Sequence, residues 1–247
     1  MTPSLAGRKI IVCGYHWVGC KAVEILRMAG AEVYVYTNPA GEGVPSLASY
    51  CQKTGVPHTV DRISVSNLPF TPDAIASVYY RYLVKPDVID HVGGRIFNLH
   101  PSLLPKYRGC SSLTWAMVRN EKTVGYTYHL IDAGCDTGNV ILQKPVDIEP
   151  FDTQQTLYYR VMFQAIQDLI GVTQLVLTGF AGVPQSGELS FFKRGAPYNG
   201  VIDPGWPEQD VERFIRAMTF PPHPYATFLG APVRSFEEYL SKRQGLK

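Results

Sequence analysis

The stretch Asn98-Leu99-His100-Pro101-Ser102-Leu103-Leu104-Pro105-Lys106-Tyr107-Arg108-Gly109 concentrates side chains able to do chemistry. Asn98 and His100 lie two apart at the end of an apolar run, Arg95 to Leu99, so strand alternation sends both to one face. An amide can donate to a developing negative charge, and an imidazole can carry a proton. Pro101 and Pro105 force the chain out of a sheet into a rigid loop. A second candidate is the acidic loop Asp132-Ala133-Gly134-Cys135-Asp136-Thr137-Gly138, set between two β-prone segments. Each feature also has a plainer reading: Asp beside Gly is common in turns, and a lone His100 is compatible with a structural role. Their occurrence together, in order, in one expected fold lifts them above it. Ser102 invites a nucleophile's role but lacks a G-x-S-x-G turn, so loop hydrogen bonding is the simpler expectation.

The elements that must position these groups follow from periodicity. Lys9 to Cys13 reads as a strand, Trp17 to Met28 as a helix and Glu32 to Tyr36 as a second strand. Val56 to Val60 and Ser77 to Tyr80 are weaker strand candidates; Arg95 to Leu99, Thr123 to Ile131 and Val140 to Gln143 are stronger. Strands alternating with helices predict an α/β fold, a Rossmann-like doubly wound, mostly parallel sheet, with the active site at its carboxyl edge. Thr153 to Leu177 has the helical period throughout and reads as one long helix, with Asp152-Thr153 as its N-cap. Glu208 to Met218 reads as a further helix ended by Pro221-Pro222. Texture changes near Thr178, which divides a catalytic domain, 1–177, from a C-terminal extension, 178–247. Gly14 to Gly19 sits between a strand and a helix but lacks the full G-x-G-x-x-G spacing, so a dinucleotide is disfavoured.

Composition narrows the classes. The chain has 247 residues, 45% of them apolar, and a formal net charge of +2, which fits a soluble globular protein with no basic footprint for nucleic acid. No apolar run is long enough for a membrane span, and the start lacks a signal-peptide layout. Five scattered cysteines without a CxxC pair fit reduced thiols, a cytoplasmic setting and no metal site.

NLHPSLLPKYRG followed by GxTxH and DxGxDTGxxxLQ resembles the formyltransferases that use 10-formyltetrahydrofolate, over about the first two thirds of the chain. The resemblance implies a catalytic set of Asn98, His100 and Asp136, with no departure at these positions. It also implies 10-formyltetrahydrofolate as co-substrate, its pterin on the backbone of the loop Tyr80-Arg81-Tyr82-Leu83, aided by Cys135 and Asp136. Such chemistry is attack of an amine on an amide-like carbon. Asn98 and a protonated His100 would donate to the oxyanion, and Asp136 would raise the imidazole's pKa and relay protons.

The acceptor must be read from the C-terminal third. Tyr198 to Trp206 and Arg213 to Pro222 resemble sugar-nucleotide N-formyltransferases, most closely those acting on GDP-linked perosamine, which serve O-antigen or other surface polysaccharides. Expected acceptor contacts are Lys193, Arg194 and Arg216 for a diphosphate and Tyr198, Trp206 or Phe220 for stacking. Ser102, Tyr107, Arg108 and Gly109 lie nearer the chemistry. Trp206 and Phe220 also fit core or dimer contacts, and a homodimer is expected. The alternatives are a methionyl-tRNA or other small-amine formyltransferase, and a catalytically silent folate- or nucleotide-binding module.

Overall fold

A computed structural model describes residues 4–39, 41 and 43–245. The chain begins with β1 (Lys9–Gly14), α1 (His16–Met28), β2 (Glu32–Tyr36), α2 (Leu47–Thr54), β3 (His58–Thr59), β4 (Ala74–Val78), α3 (Pro86–His91) and β5 (Ile96–His100). It continues through β6 (Arg108–Gly109), α4 (Ser112–Val118), β7 (Thr123–Leu130), β8 (Val140–Asp147), α5 (Gln154–Gln167) and α6 (Leu169–Leu177). The last part holds β9 (Phe191–Phe192), α7 (Glu208–Ala217), β10 (Ala226–Phe228), β11 (Ala231–Val233) and α8 (Phe236–Gln244).

Seven strands form one sheet in the order β3-β2-β1-β4-β5-β7-β8. The β1–β5 pairings are parallel; β5–β7 and β7–β8 are antiparallel. The continuous apolar run of β1 follows from burial on both faces. Ile10 and Val12 enter the larger core with α1, α5 and α6, while Ile11 and Cys13 enter a smaller one with Tyr36, Ile75, Val88 and Ile96. Chain order reverses at β1, so the crevice beyond the carboxyl ends of β1 and β4 is the place where such sheets bind ligands.

Several boundaries differ from those expected. The strand expected at Ser77 to Tyr80 runs from Ala74 to Val78, because Tyr79 turns into the left-handed region at φ 64°. The one expected at Val56 to Val60 shrinks to two residues, and Val140 to Gln143 extends to Asp147 along β7. The helix expected over Thr153 to Leu177 is two. At Asp168 the carboxylate is drawn to the sheet, accepting from Tyr126 Oη at 2.6 Å and pairing with Lys144 at 2.7 Å. Thr153 does cap α5, its hydroxyl accepting the Thr156 N–H at 3.2 Å.

Beyond α6 the chain first returns to the core. Val183 bridges Val140, and β9 pairs in parallel with β6. It then builds a small core of its own from Ile202, Phe214, Ile215, Phe228 and Tyr239.

Candidate active site

Strand register builds the centre. Ser77 on β4, Asn98 on β5 and His129 on β7 are consecutive partners in one row across the sheet. Ser77 Oγ donates to Asn98 Oδ1 at 2.8 Å, and Asn98 Nδ2 lies 3.2 Å from His129 Nε2. His129 Nδ1 must carry a proton, because it faces the Leu130 carbonyl at 2.8 Å. In a neutral ring Nε2 then accepts from the Asn98 amide. The amide is thereby locked, and its second N–H is left for the cleft.

Two residues on, His100 ends β5 with its Nε2 2.8 Å from the Tyr107 carbonyl, so Nε2 is the donor and Nδ1 the open nitrogen. Nδ1 lies 3.5 Å from Asp136 Oδ2, and His129 Nε2 lies 3.5 Å from Asp136 Oδ1. The Gly109 N–H donates to Asp136 Oδ2 at 2.8 Å. Burial alone would raise the Asp136 carboxyl, but the two imidazoles and this N–H outweigh it and hold the group well below the usual carboxylate range. For His100 burial is the stronger influence and lowers its pKa; the Asp136 charge raises it, but by less. Asp136 thus acts on His100 in the expected direction, while burial opposes the protonated form that was expected.

Two loops carry these contacts. Residues 101–105 are tied to the sheet by Thr127, which donates to the Ser102 carbonyl at 2.6 Å and accepts the Leu104 N–H at 3.2 Å. Gly109, at φ 90°, passes so close to the Phe192 carbonyl that a Cβ there would collide with it. Asp136 itself stands at φ 54°, the left-handed region that a non-glycine residue rarely occupies.

The centre opens into a cleft of about 840 Å³. Asn98, His100, Asp136 and His129 line it. So do Arg81, Tyr82, Leu83, Cys135, Gly109 and Arg194. Leu83 is 78% exposed. Most of the other expected acceptor residues do not line this cleft. Ser102 is buried and donates to the Lys106 carbonyl at 2.7 Å. Tyr107 donates to Glu121 at 2.7 Å and stacks on Phe192. Arg108 is held by Gln185, its Nη2 2.7 Å from Oε1. Arg216 pairs with Glu212 at 2.6 Å and donates to the Asp152 carbonyl at 2.8 Å. Tyr198 packs against Trp206, with ring centroids 5.0 Å apart, and Lys193 lies on the exposed surface. Phe220 does line the cleft.

Sequence reasoning missed a second wall of the cleft, formed by Tyr15, His16, Asn38, Tyr158 and His223. Among the described residues, His16 Nδ1, Asn38 Oδ1 and Tyr158 Oη are buried without a hydrogen-bond partner. Burial, and then the nearby His223, lower the His16 pKa to about 4, and the residue stands at φ 61°. The available signal was the position of His16 at the β1–α1 turn, read only as a failed dinucleotide motif. His129 stood inside the quoted GxTxH pattern without a role.

The family model described as formyl transferase matches residues 59–173. The chain is 41% identical over 157 residues to the GDP-perosamine N-formyltransferase of Brucella melitensis biotype 1, covering 64% of this chain and 61% of the relative. It thus spans about three fifths of the length of that curated relative. Among solved structures, it resembles the Helicobacter canadensis N-formyltransferase complexed with folinic acid and dTDP-3-aminofucose, with a TM-score of 0.75, 21% identity and coverage of 92% and 86%. A Francisella tularensis 4-N formyltransferase gives a TM-score of 0.76 at 19% identity, covering 90% and 92%. These two show the fold.

Proposed function

We propose that this chain, which matches the formyl transferase family model over residues 59–173, moves a formyl group from 10-formyltetrahydrofolate to the amino group of a nucleotide-linked amino-dideoxy sugar. The observation that carries this reading is the set of Asn98, His100, His129 and Asp136 converging on one cleft. The apolar, backbone-rich wall of residues 80–83 with Cys135 suits a pterin. The lining residues Tyr15, His16, Asn38, Tyr158 and Phe220 suit an acceptor with hydroxyl groups and an apolar face.

The chemistry follows from the hydrogen bonds. The acceptor amine attacks the formyl carbon, and the carbonyl oxygen becomes an oxyanion. The Asn98 N–H not engaged by His129 donates to it; such a donor is worth about 2.7–4 kcal/mol of barrier. The amine's surplus proton passes to the open Nδ1 of neutral His100, and the Asp136 carboxylate stabilises the imidazolium as it forms. Collapse returns that proton to the departing folate nitrogen, which leaves as tetrahydrofolate. Every step uses side chains of this chain.

GDP-linked perosamine is the acceptor that the name of the Brucella relative suggests. The test is tetrahydrofolate release with a panel of dTDP-, UDP- and GDP-linked amino sugars. A GDP-linked 4-amino sugar should turn over fastest. Faster formylation of charged tRNA or a free amino acid would overturn the acceptor assignment.

A further inference from the structure

We propose that Gln185 is a positioning residue for the Asp136–His100 pair, clamping together the two loops that carry the chemistry. The inference rests on the transfer reading above and concerns a residue beyond the part of the chain that the family match covers.

The Gln185 side chain is fully engaged. Its Oε1 accepts from Arg108 Nε at 3.2 Å and Nη2 at 2.7 Å. Its Nε2 donates to the Asp136 carbonyl at 2.8 Å and to the Gly138 carbonyl at 2.8 Å. One planar amide therefore joins the loop that supplies the Tyr107 carbonyl to His100 and the Gly109 N–H to Asp136 with the loop that supplies the Asp136 carboxylate. The need for a clamp is visible in the backbone. Asp136 sits at φ 54°, where an L-residue is held only if its surroundings over-determine it. Gly138 is so close to the Leu130 carbonyl that it admits no side chain. The Gln185 N–H groups bind both carbonyls of this strained turn.

The segment around Gln185 has the same purpose. Ser190 Oγ accepts the Tyr107 N–H at 2.8 Å, and the Ser190 carbonyl accepts the Arg108 N–H at 2.9 Å. The Phe192 carbonyl accepts the Cys110 N–H at 2.9 Å. These bonds hold one loop only; Gln185 is the residue that spans both. If the clamp is released, the turn at Asp136 can relax and its carboxylate moves relative to His100 Nδ1, 3.5 Å away.

Two variants separate this role from simple anchoring. Gln185→Met keeps the length and removes all four bonds. Gln185→Glu keeps a partner for Arg108 but replaces both donors with acceptors facing two carbonyls. Both should lower kcat by roughly 10- to 100-fold, the scale of a displacement of about 1 Å at a reacting group, with the KM for folate little changed. Wild-type kcat in Gln185→Glu beside a slow Gln185→Met would overturn the proposal, because only the Arg108 anchor would then matter. Wild-type kcat in both, or a loss that vanishes per folded molecule in thermal melts, would do the same. Nitrogen-15 NMR titration of His100 gives a readout independent of turnover. The groups facing this ring are Asp136, His129 and the Tyr107 carbonyl. In Gln185→Met the ring should titrate lower than in wild type, since the raising influence of Asp136 weakens. An unchanged titration overturns the positioning role. A wild-type protein that releases no tetrahydrofolate with any amine defeats the transfer reading instead, and the titration still decides the role of Gln185.

Discussion

Asp136→Asn isolates the charge on which proton transfer depends. The amide has the shape of the carboxylate. Its oxygen can still accept the Gly109 N–H now bonded at 2.8 Å, and its nitrogen then faces His129 Nε2, an acceptor in the neutral ring. The fold should therefore persist while the negative charge 3.5 Å from His100 Nδ1 is lost. At an effective dielectric of about 20, a full imidazolium–carboxylate pair at that spacing attracts by about 5 kcal/mol. The proton is only partly transferred in the transition state, so a barrier increase of about 3–4 kcal/mol follows, or roughly 10²- to 10³-fold in kcat. Ground-state binding does not use this charge, so both KM values should stay within about threefold of wild type. The assay is absorbance of released tetrahydrofolate under saturating substrates, with circular dichroism to confirm folding. A folded variant that retains kcat within about fivefold would refute the argument, since a lost 1 kcal/mol already accounts for that factor.

Asn98→Ala should lower kcat by roughly 10²-fold or more with little change in KM, because its free N–H meets charge only in the transition state. Ser77→Ala removes the bond that fixes the Asn98 amide at 2.8 Å and should cost about 1 kcal/mol, a fivefold loss in kcat at unchanged melting temperature. The acid limb of kcat/KM should lie below pH ~6.5, the ordinary histidine value. Neutral His100 is the form that takes the proton; burial lowers its pKa, so activity survives to lower pH and falls as the ring protonates. A limb at or above pH ~6.5 would contradict this. His16→Ala should raise the acceptor KM by roughly tenfold, the worth of one or two hydrogen bonds, and leave the folate KM alone. An equal rise in both would move His16 out of the acceptor wall.

How much of this was legible depended on the distance over which the information was written. Asn98 and His100 could be placed on one face because strand alternation is a local rule, and β5 obeys it. The core strands were equally plain, since β1 is buried on both faces and must be apolar throughout. The break at Asp168 was hidden, because helical periodicity continues through it. What interrupts the helix is a pull from Tyr126 and Lys144 on the neighbouring strands. His129 and Ser77 were hidden for a related reason. Each is an ordinary polar residue on its own strand, and only the register across β4, β5 and β7 makes them neighbours of Asn98.

Of the expected acceptor residues Gly109, Arg194 and Phe220 line the cleft, and the physical reason the other cations do not concerns charge. Cations in the C-terminal third invite assignment as diphosphate ligands because their type fits phosphate. A surface cation, however, first satisfies itself with whatever acceptor lies nearby, and Arg216 does so with Glu212 one turn away. Arg108 likewise serves the loops by way of Gln185. The polar atoms left buried and unpartnered report better on a ligand, since burial without a partner costs about 1–3 kcal/mol unless something completes the bond. His16, Asn38 and Tyr158 hold such atoms, and they come from the ends of β1 and β2 and from α5. No short window of sequence contains more than one of them. They meet because the chain reverses its order at β1 and because α5 packs against α1 and β7. On the proposed reading the extension beyond α6 bears on function in two ways: Phe220 and His223 line the cleft, while the stretch from Gln185 to Phe192 holds the loops that carry Asp136 and the partners of His100.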